Sequence, residues 1–127
     1  MRVALALVLV AAPALAEPPR ISLVFGDDRL DAQAEDILGT RRIDQPGRGS
    51  ALHIRLVPAF DAAMHALTLA HVGATGELKI CSETVLSPIL VAPIRQAVFV
   101  ITDSDPARID WLEALLASPD CAEVPEG

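Results

Sequence analysis

The feature that most constrains the fold of this sequence is an apolar segment at its N-terminus, because it assigns the compartment in which the rest folds. Arg2 precedes residues 3–12, which are all leucine, valine or alanine, and a small-x-small Ala-Leu-Ala motif ends at residue 16. The run is shorter than the about 20 apolar residues of a membrane-spanning helix. The pattern predicts a cleaved secretory signal peptide over residues 1–16, with an uncleaved anchor as the alternative.

The remaining residues, 17–127, have the length of one small domain. The formal charge of the whole sequence is -7, and removal of Arg2 would make it more negative. An acidic domain repels phosphate backbones and anionic lipid headgroups, so nucleic acid and membrane surfaces are disfavoured as partners. No further long apolar run follows the signal peptide. We therefore expect a soluble periplasmic protein without a membrane span after signal cleavage.

Cys81 and Cys121 are the two cysteines of the sequence. An even cysteine count in a small exported domain favours a structural disulfide. Closing a loop of this length stabilises the fold by roughly 4 kcal/mol in the chain-entropy model. A redox-active pair is disfavoured because there is no C-x-x-C motif. A metal site is the other alternative, and it would require histidines nearby.

The first half of the mature chain predicts a strand, a helix and a loop. Residues 21–25 are predicted as the strand, and Gly26 begins a turn. A helix is predicted next because several apolar residues fall on one helical face before Gly39, which suits a helix end. These residues are Leu30, Ala34, Ile37 and Leu38. Residues 40–50 are polar and rich in glycine and proline, which predicts a surface loop.

The middle of the chain predicts a strand followed by an amphipathic helix. Apolar and polar residues alternate over residues 52–56, as in a half-buried strand. Pro58 suits the first position of a helix. The residues that then repeat at helical spacing are Phe60, Ala63, Met64, Leu67 and His71. Residues 77–80 predict another half-buried strand, and Ser82-Glu83-Thr84 predicts the turn after it.

The last third predicts an apolar strand and a final helix. Residues 97–102 are apolar on both faces, which predicts a central strand. Asp105 is the predicted N-cap of a helix with Pro106 at its first position, and Pro119 ends it. The whole pattern predicts an α+β fold with a single small mixed or antiparallel sheet and two to three helices packed on one face.

Several blocks of the sequence, in order, resemble the head of the first periplasmic domain of the SecD/SecDF protein-translocation factors. They are IDQPGRGS, ALHIRLVPAF, FDAAMHALTLAHVG, GELKICSETVLSPILVAPI and AVFVITDSDPARIDWLEALLAS. The resemblance is strongest over residues 51–118 and implies a SecD-head-like domain over residues 17–127. The chain departs from the family pattern at the turn after Cys81, at Asp103-Ser104-Asp105, and in having Cys81 and Cys121. No membrane helices of the family are matched, so the resemblance implies binding without motor activity.

The sequence contains no catalytic or metal-binding motif, and we predict no enzyme, no cofactor and no metal. It lacks G-x-S-x-G, H-E-x-x-H, a P-loop and G-x-G-x-x-G. His53 is expected to point outward from its strand, and His65 is expected to pair with Asp61 one helical turn away. Asp103 and Asp105 fit helix capping better than a calcium loop. Arg41, Arg42 and Arg48 form a small basic patch that suits either a solvated loop or an anion contact.

Residues 85–91 are the predicted binding segment, because they are apolar and extended with a proline inside. At a sheet edge, such a segment could receive an extended peptide by strand addition. The alternative is that Pro88 protects the edge against aggregation. The predicted binding residues are Val85, Leu86, Pro88, Ile89 and Leu90.

These observations lead to one principal hypothesis and two alternatives. The principal hypothesis is a periplasmic, non-enzymatic binding or interaction module whose partner is protein or peptide in the cell envelope, including unfolded chains. One alternative is a small envelope enzyme with an atypical site that uses His53 or His65 with an aspartate. The other is a structural or inhibitory envelope protein that presents a rigid surface to a folded partner.

Overall fold

The structure, a computed structural model, describes residues 18–121. The predicted signal peptide lies outside these residues and remains a prediction. The strands are β1 (Ile21–Phe25), β2 (Asp28–Ala32), β3 (Ile37–Gln45), β4 (Gly49–Leu56), β5 (Glu77–Ile80), β6 (Glu83–Leu86) and β7 (Val98–Asp103). The α-helices are α1 (Asp61–Leu69) and α2 (Pro106–Ala117), and short 3-10 helices occupy Ala34–Asp36 and Pro58–Phe60.

The strands of the described residues form two antiparallel sheets, with orders β2-β1-β5-β6 and β3-β4-β7. The α+β class is confirmed, whereas the prediction of a single sheet is wrong. Helix α2 contacts β4, β7 and β5, which are strands of both sheets, and α1 contacts β2. Buried apolar residues from both sheets and both helices form one cluster, so the two sheets share one core.

The helix predicted after Gly26 is a second strand. Gly26 adopts φ +63°, a left-handed conformation that glycine reaches without steric cost. The chain therefore returns in a tight hairpin, and Leu30 pairs with Leu23 across it. Leu30 and Ile37 lie on separate strands and both pack against the core. Their helical spacing was misleading because short apolar runs fit either period.

The predicted loop over residues 40–50 is the β3–β4 hairpin. Asp44 lies opposite Ser50, and the pairing continues to Ile37 opposite Leu56. The polar composition reflects a strand that is largely exposed rather than an absence of pairing. Gly49 is required at the turn because a Cβ there would lie 2.2 Å from the Asp103 carbonyl oxygen.

The predicted final helix is confirmed as α2. The Asp105 carboxylate accepts a hydrogen bond from the Ala107 N–H at 3.0 Å, and Pro106 occupies the first turn. The capping carboxylate satisfies a backbone donor that has no partner inside the helix. The buried residues of α2 are Ile109, Leu112, Leu115 and Leu116, the apolar face expected from their spacing.

The prediction of a central position for the apolar strand at residues 97–102 is wrong. The corresponding strand, β7, is the last strand of its sheet and pairs only with β4 among the described strands. Phe99 and Ile101 are buried, whereas Val100 is 45% exposed. On its second face Val100 is exposed and Val98 is half-buried, so its apolar sequence does not reflect burial on both faces.

The segment at and after the end of α2 is linked to the start of β1 by a buried arginine and to the β5–β6 turn by a disulfide. Cys81 and Cys121 are bonded, with their Cα atoms 5.4 Å apart, which confirms the predicted pairing. Arg20 is 3% exposed and donates to the carbonyl oxygens of Leu115, Leu116, Ser118 and Pro119 at 2.7–3.2 Å. The Cys81 N–H donates to the Arg20 carbonyl at 3.0 Å. The disulfide and the Arg20 contacts are therefore connected through Cys81.

Candidate functional site

An apolar groove of about 400 Å³ lies where the two sheets meet. Leu23, Phe25 and Leu78 are contributed by β1 and β5. One wall is the segment from Leu86 to Ile94, and the other is the first half of β7. Every lining side chain is leucine, isoleucine, valine, alanine, proline or phenylalanine. The groove therefore offers apolar surface and no charged group to a ligand.

The structure places four of the five predicted binding residues in this groove. Leu86, Pro88, Ile89 and Leu90 line it, whereas Val85 is half-buried and packs against the core. Ile89 is 67% exposed, and the adjacent Val91 is 85% exposed. The wall of the groove continues beyond the predicted segment to Ile94, and the opposite wall comes from β7, which the sequence did not indicate.

The backbone of the Pro88–Leu90 region is already paired on one side. The Gly76 N–H donates to the Pro88 carbonyl at 2.9 Å, and the Leu90 N–H donates to the Ala74 carbonyl at 2.9 Å. Thr75 and Ile89 form a bridge between these bonds. This side of the predicted segment is therefore not open to an added strand, and its contribution to the groove is its side chains.

The three arginines of the predicted basic patch lie in two environments. Arg42 is paired with carboxylates, whereas the other two are exposed. Arg42 contacts the carboxylates of Asp110, Asp44 and Glu113, the last two at 2.8 and 3.1 Å. These carboxylates raise the pKa of the Arg42 guanidinium above its ordinary value. Arg42 thereby joins β3 to α2 and is engaged by carboxylates, while Arg41 and Arg48 are exposed. The three arginines do not form a common anion site.

The Asp61 carboxylate does not form the histidine–aspartate pair that the enzyme alternative required of it. That carboxylate accepts hydrogen bonds from Arg55 at 2.9 and 3.2 Å and from the Ala97 N–H at 2.8 Å, so the predicted pairing with His65 is wrong. His71 instead contacts Asp28, with Nε2 2.8 Å from Oδ2, and its ring stacks on Phe25. Within residues 18–121, no three side chains of the metal-binding types are grouped together.

The Asp61 contacts predict a specific acid sensitivity. The Arg55 hydrogen bonds, followed by that of the Ala97 N–H, hold the pKa of the Asp61 carboxyl below its usual 3.8. A depressed folded-state pKa stabilises the protein above the unfolded-state value, and this contribution is lost as the pH falls through the folded-state pKa. Asp61→Asn should therefore lower the melting temperature at neutral pH and flatten its decline between about pH 5 and pH 2.

The control for this experiment is Glu35→Gln, which removes one exposed carboxylate from the 3-10 helix at Ala34–Asp36. Its melting temperature should follow that of the wild type across the acid range. A parallel acid decline of Asp61→Asn and the wild type would contradict the assigned role of Asp61.

No protein-family model matches the sequence, and no curated protein matches it. Two solved structures are similar in fold, each at 19% identity with a TM-score of 0.57 over 72% of this chain. One is titled "Structure and function of a membrane component SecDF that enhances protein export", and the other is SecDF in its super-membrane-facing form. The match covers 42% and 12% of those chains, so this chain corresponds to a minor part of them. The chain thus resembles a SecD domain in fold.

Among residues 18–121, no helix has the length and apolar character needed to cross a membrane.

Proposed function

We propose that this protein is a non-enzymatic binding module of the periplasm, and that the groove binds extended or unfolded polypeptide of the cell envelope. The observation that carries the proposal is the groove itself, an uncharged cleft whose wall residues Ile89 and Val91 are largely exposed. Contiguous apolar surface of this kind on a small protein is characteristic of an interaction site. The proposed binding residues remain Val85, Leu86, Pro88, Ile89 and Leu90, with Val85 supporting the groove from the core side.

The shape and chemistry of the groove favour a polypeptide over a charged metabolite. Burying apolar surface stabilises a complex by about 25 cal/mol per Å². The groove lining provides apolar surface against which the apolar side chains of a peptide can be buried. A charged ligand would lose its hydration without gaining a partner, because no lining residue is polar. Extended apolar segments are what unfolded chains expose and folded chains bury, so these segments fit the groove best.

Two observations support an oxidising location outside the cytoplasm. The bonded Cys81–Cys121 pair is typical of exported proteins, since cytosolic thiols are kept reduced. The fold is that of part of SecDF, which is described as enhancing protein export. Together with the predicted signal peptide, these observations support a role in contacting exported polypeptides.

The test measures binding of a fluorescein-labelled octapeptide of alternating valine and serine by fluorescence anisotropy. Ile89→Asp introduces a carboxylate into the groove wall, and burying it against the peptide is costly. We expect the dissociation constant of this variant to rise by about tenfold or more.

The matched control is Leu38→Asp, which makes the same change at another exposed apolar residue. Leu38 lies on β3, is 62% exposed and is not part of the groove lining. Its affinity for the octapeptide should equal that of the wild type. Absence of octapeptide binding by the wild type, or equal weakening by both variants, would contradict the proposed function. Tight binding to one folded envelope protein without peptide binding would favour the rigid-surface alternative.

A further inference from the structure

β7 is one of two edge strands in the described sheets that carry a charge at one end only; the other is β6. β2 carries Arg29 and Asp31, β3 carries Arg41 and Arg42, and β6 begins with Glu83. Charged side chains on an edge strand are a common protection against pairing with another chain. β7 has the sequence VFVITD, in which the first charge is at its last residue. The two edges that border the groove, β6 and β7, therefore both lack this protection along most of their length.

The pairing with β4 determines which backbone groups of β7 face outward. The Leu56 N–H donates to the Ala97 carbonyl at 2.9 Å, which makes this a hydrogen-bonded pair. In an antiparallel ladder such pairs alternate with pairs whose N–H and C=O groups point away from each other. Continuing along the register, Val98, Val100 and Thr102 have outward-facing groups. The Val98 N–H is used by the Gln96 carbonyl, so Val100 is the first residue with an outward N–H and C=O both available to an added strand.

Val100 also lies in the groove, which brings the available backbone and the apolar surface together. It lines the groove with Phe99, and within residues 18–121 no strand pairs with the outer side of β7. The opposite wall at Pro88–Leu90 has one backbone side occupied by residues 73–76. An incoming chain would thus find its hydrogen-bonding partner on β7 and apolar contacts on both walls.

We infer that the occupant of the groove is an extended segment that adds to the outer edge of β7 as a fourth strand of the β3-β4-β7 sheet. This inference rests on the proposed function and specifies its ligand. The segment hydrogen bonds to Val100 and directs every second side chain into the groove beside Phe99, since side chains alternate along a strand. Its chemistry follows from the lining: apolar residues at alternate positions, no charge among them, and no proline where an amide must donate.

The first test removes the outward donor of β7. Val100→Pro eliminates the Val100 N–H, which takes no part in the pairing with β4, so the sheet loses no ladder bond. We expect the alternating valine–serine octapeptide to bind this variant about tenfold or more weakly. Val100→Thr keeps the N–H and a β-branched side chain, and its affinity should stay within about threefold of the wild type. Retained melting temperatures exclude unfolding as the cause.

The second test leaves the protein unchanged and methylates the amides of the octapeptide. One version is N-methylated at odd positions and the other at even positions. Strand addition uses alternate amides, so methylation of one set should abolish binding and methylation of the other set should preserve it. Equal binding of both versions together with full affinity of Val100→Pro would overturn strand addition.

The outcomes separate this inference from the proposed function. Failure of the wild type to bind any octapeptide contradicts both. If binding is lost in Ile89→Asp but is unaffected by Val100→Pro and by N-methylation, groove binding is supported and strand addition is contradicted. A concentration-dependent dimer in sedimentation that disappears in Val100→Pro, without peptide binding, would assign the β7 edge to a second copy of this chain and overturn the inference.

Discussion

The double variant Cys81→Ser/Cys121→Ser should melt at a temperature lower than that of the oxidised wild type by on the order of 20 °C. The disulfide joins residues 40 positions apart, and removing it restores the conformational freedom of that loop to the unfolded chain. The chain-entropy model gives a loss of about 4 kcal/mol in the free energy of unfolding. This is a large fraction of the total stability of a small domain.

The local backbone adds to the expected effect of removing this disulfide. Cys81 and Ser82 have φ values of +53° and +70°, as a two-residue hairpin turn requires. Neither is glycine, so the β5–β6 turn has a backbone conformation that ordinary side chains rarely adopt. The bond to Cys121 holds the turn in place. Removing the bond should therefore destabilise β6, an edge strand, more than the other strands.

Thermal unfolding followed by circular dichroism measures the loss, with the reduced wild type as the matched sample. The double variant and the reduced wild type should have the same melting temperature, because both lack the crosslink and neither can form another. Melting of the double variant within a few degrees of the oxidised wild type would contradict the stabilising role of the bond.

Replacing Arg20 with alanine should lower the free energy of unfolding by about 3 kcal/mol. The guanidinium is buried and donates to four carbonyl groups at and after the end of α2. Carbonyls at a helix end have no partner inside the helix, and the negative end of the helix dipole favours a positive charge there. Alanine would leave these oxygens without their charged donor and create unfilled space beside the core.

The control for Arg20→Ala is Arg29→Ala, which removes an exposed guanidinium paired with Asp31. Exposed ion pairs contribute little, so this variant should lose less than about 1 kcal/mol. Urea denaturation measures both free energies. Equal stability of the two variants would show that the buried contacts of Arg20 contribute no more than a surface pair.

Arg20 and the disulfide should also be energetically coupled. The Cys81 N–H donates to the Arg20 carbonyl, and Cys121 follows the carbonyl groups that the Arg20 side chain binds. Groups that share partners lose stability non-additively when both are removed. The cysteine count predicted the disulfide, whereas no local sequence pattern predicted the role of Arg20. The burial of Arg20 depends on the end of α2, which lies almost a hundred residues away.

Local signals were sufficient where one segment determines its own structure. Asp105 and Pro106 predicted the start of α2 because capping is a contact between near neighbours. The alternation of Leu52 and Ile54 with His53 predicted β4 for a similar reason. The SecD-like fold was identified through the order of several such segments, and the structural comparison confirms that resemblance.

Contacts between distant segments explain the errors in the fold and in the site. The order of strands in a sheet is set by pairing between residues far apart, so the edge position of β7 was not visible in its own apolar sequence. The same limit applies to the groove. Ile89 and Pro88 were identified from their segment, whereas Val100 and Phe99 become part of the site only through the packing of the two sheets.

The linkage among Arg20, Cys81 and Cys121 has a mechanical consequence for the fold. Arg20 and Cys121 are linked through Cys81, by a backbone hydrogen bond on one side and by the disulfide on the other. β1 runs from this linkage to Phe25, which lines the groove. A pulling force applied between Arg20 and Cys121 would be carried by the disulfide in series with the backbone hydrogen bond, and in parallel by the buried Arg20 side-chain contacts. While these hydrogen bonds hold, the tension would bypass the groove at the other end of β1.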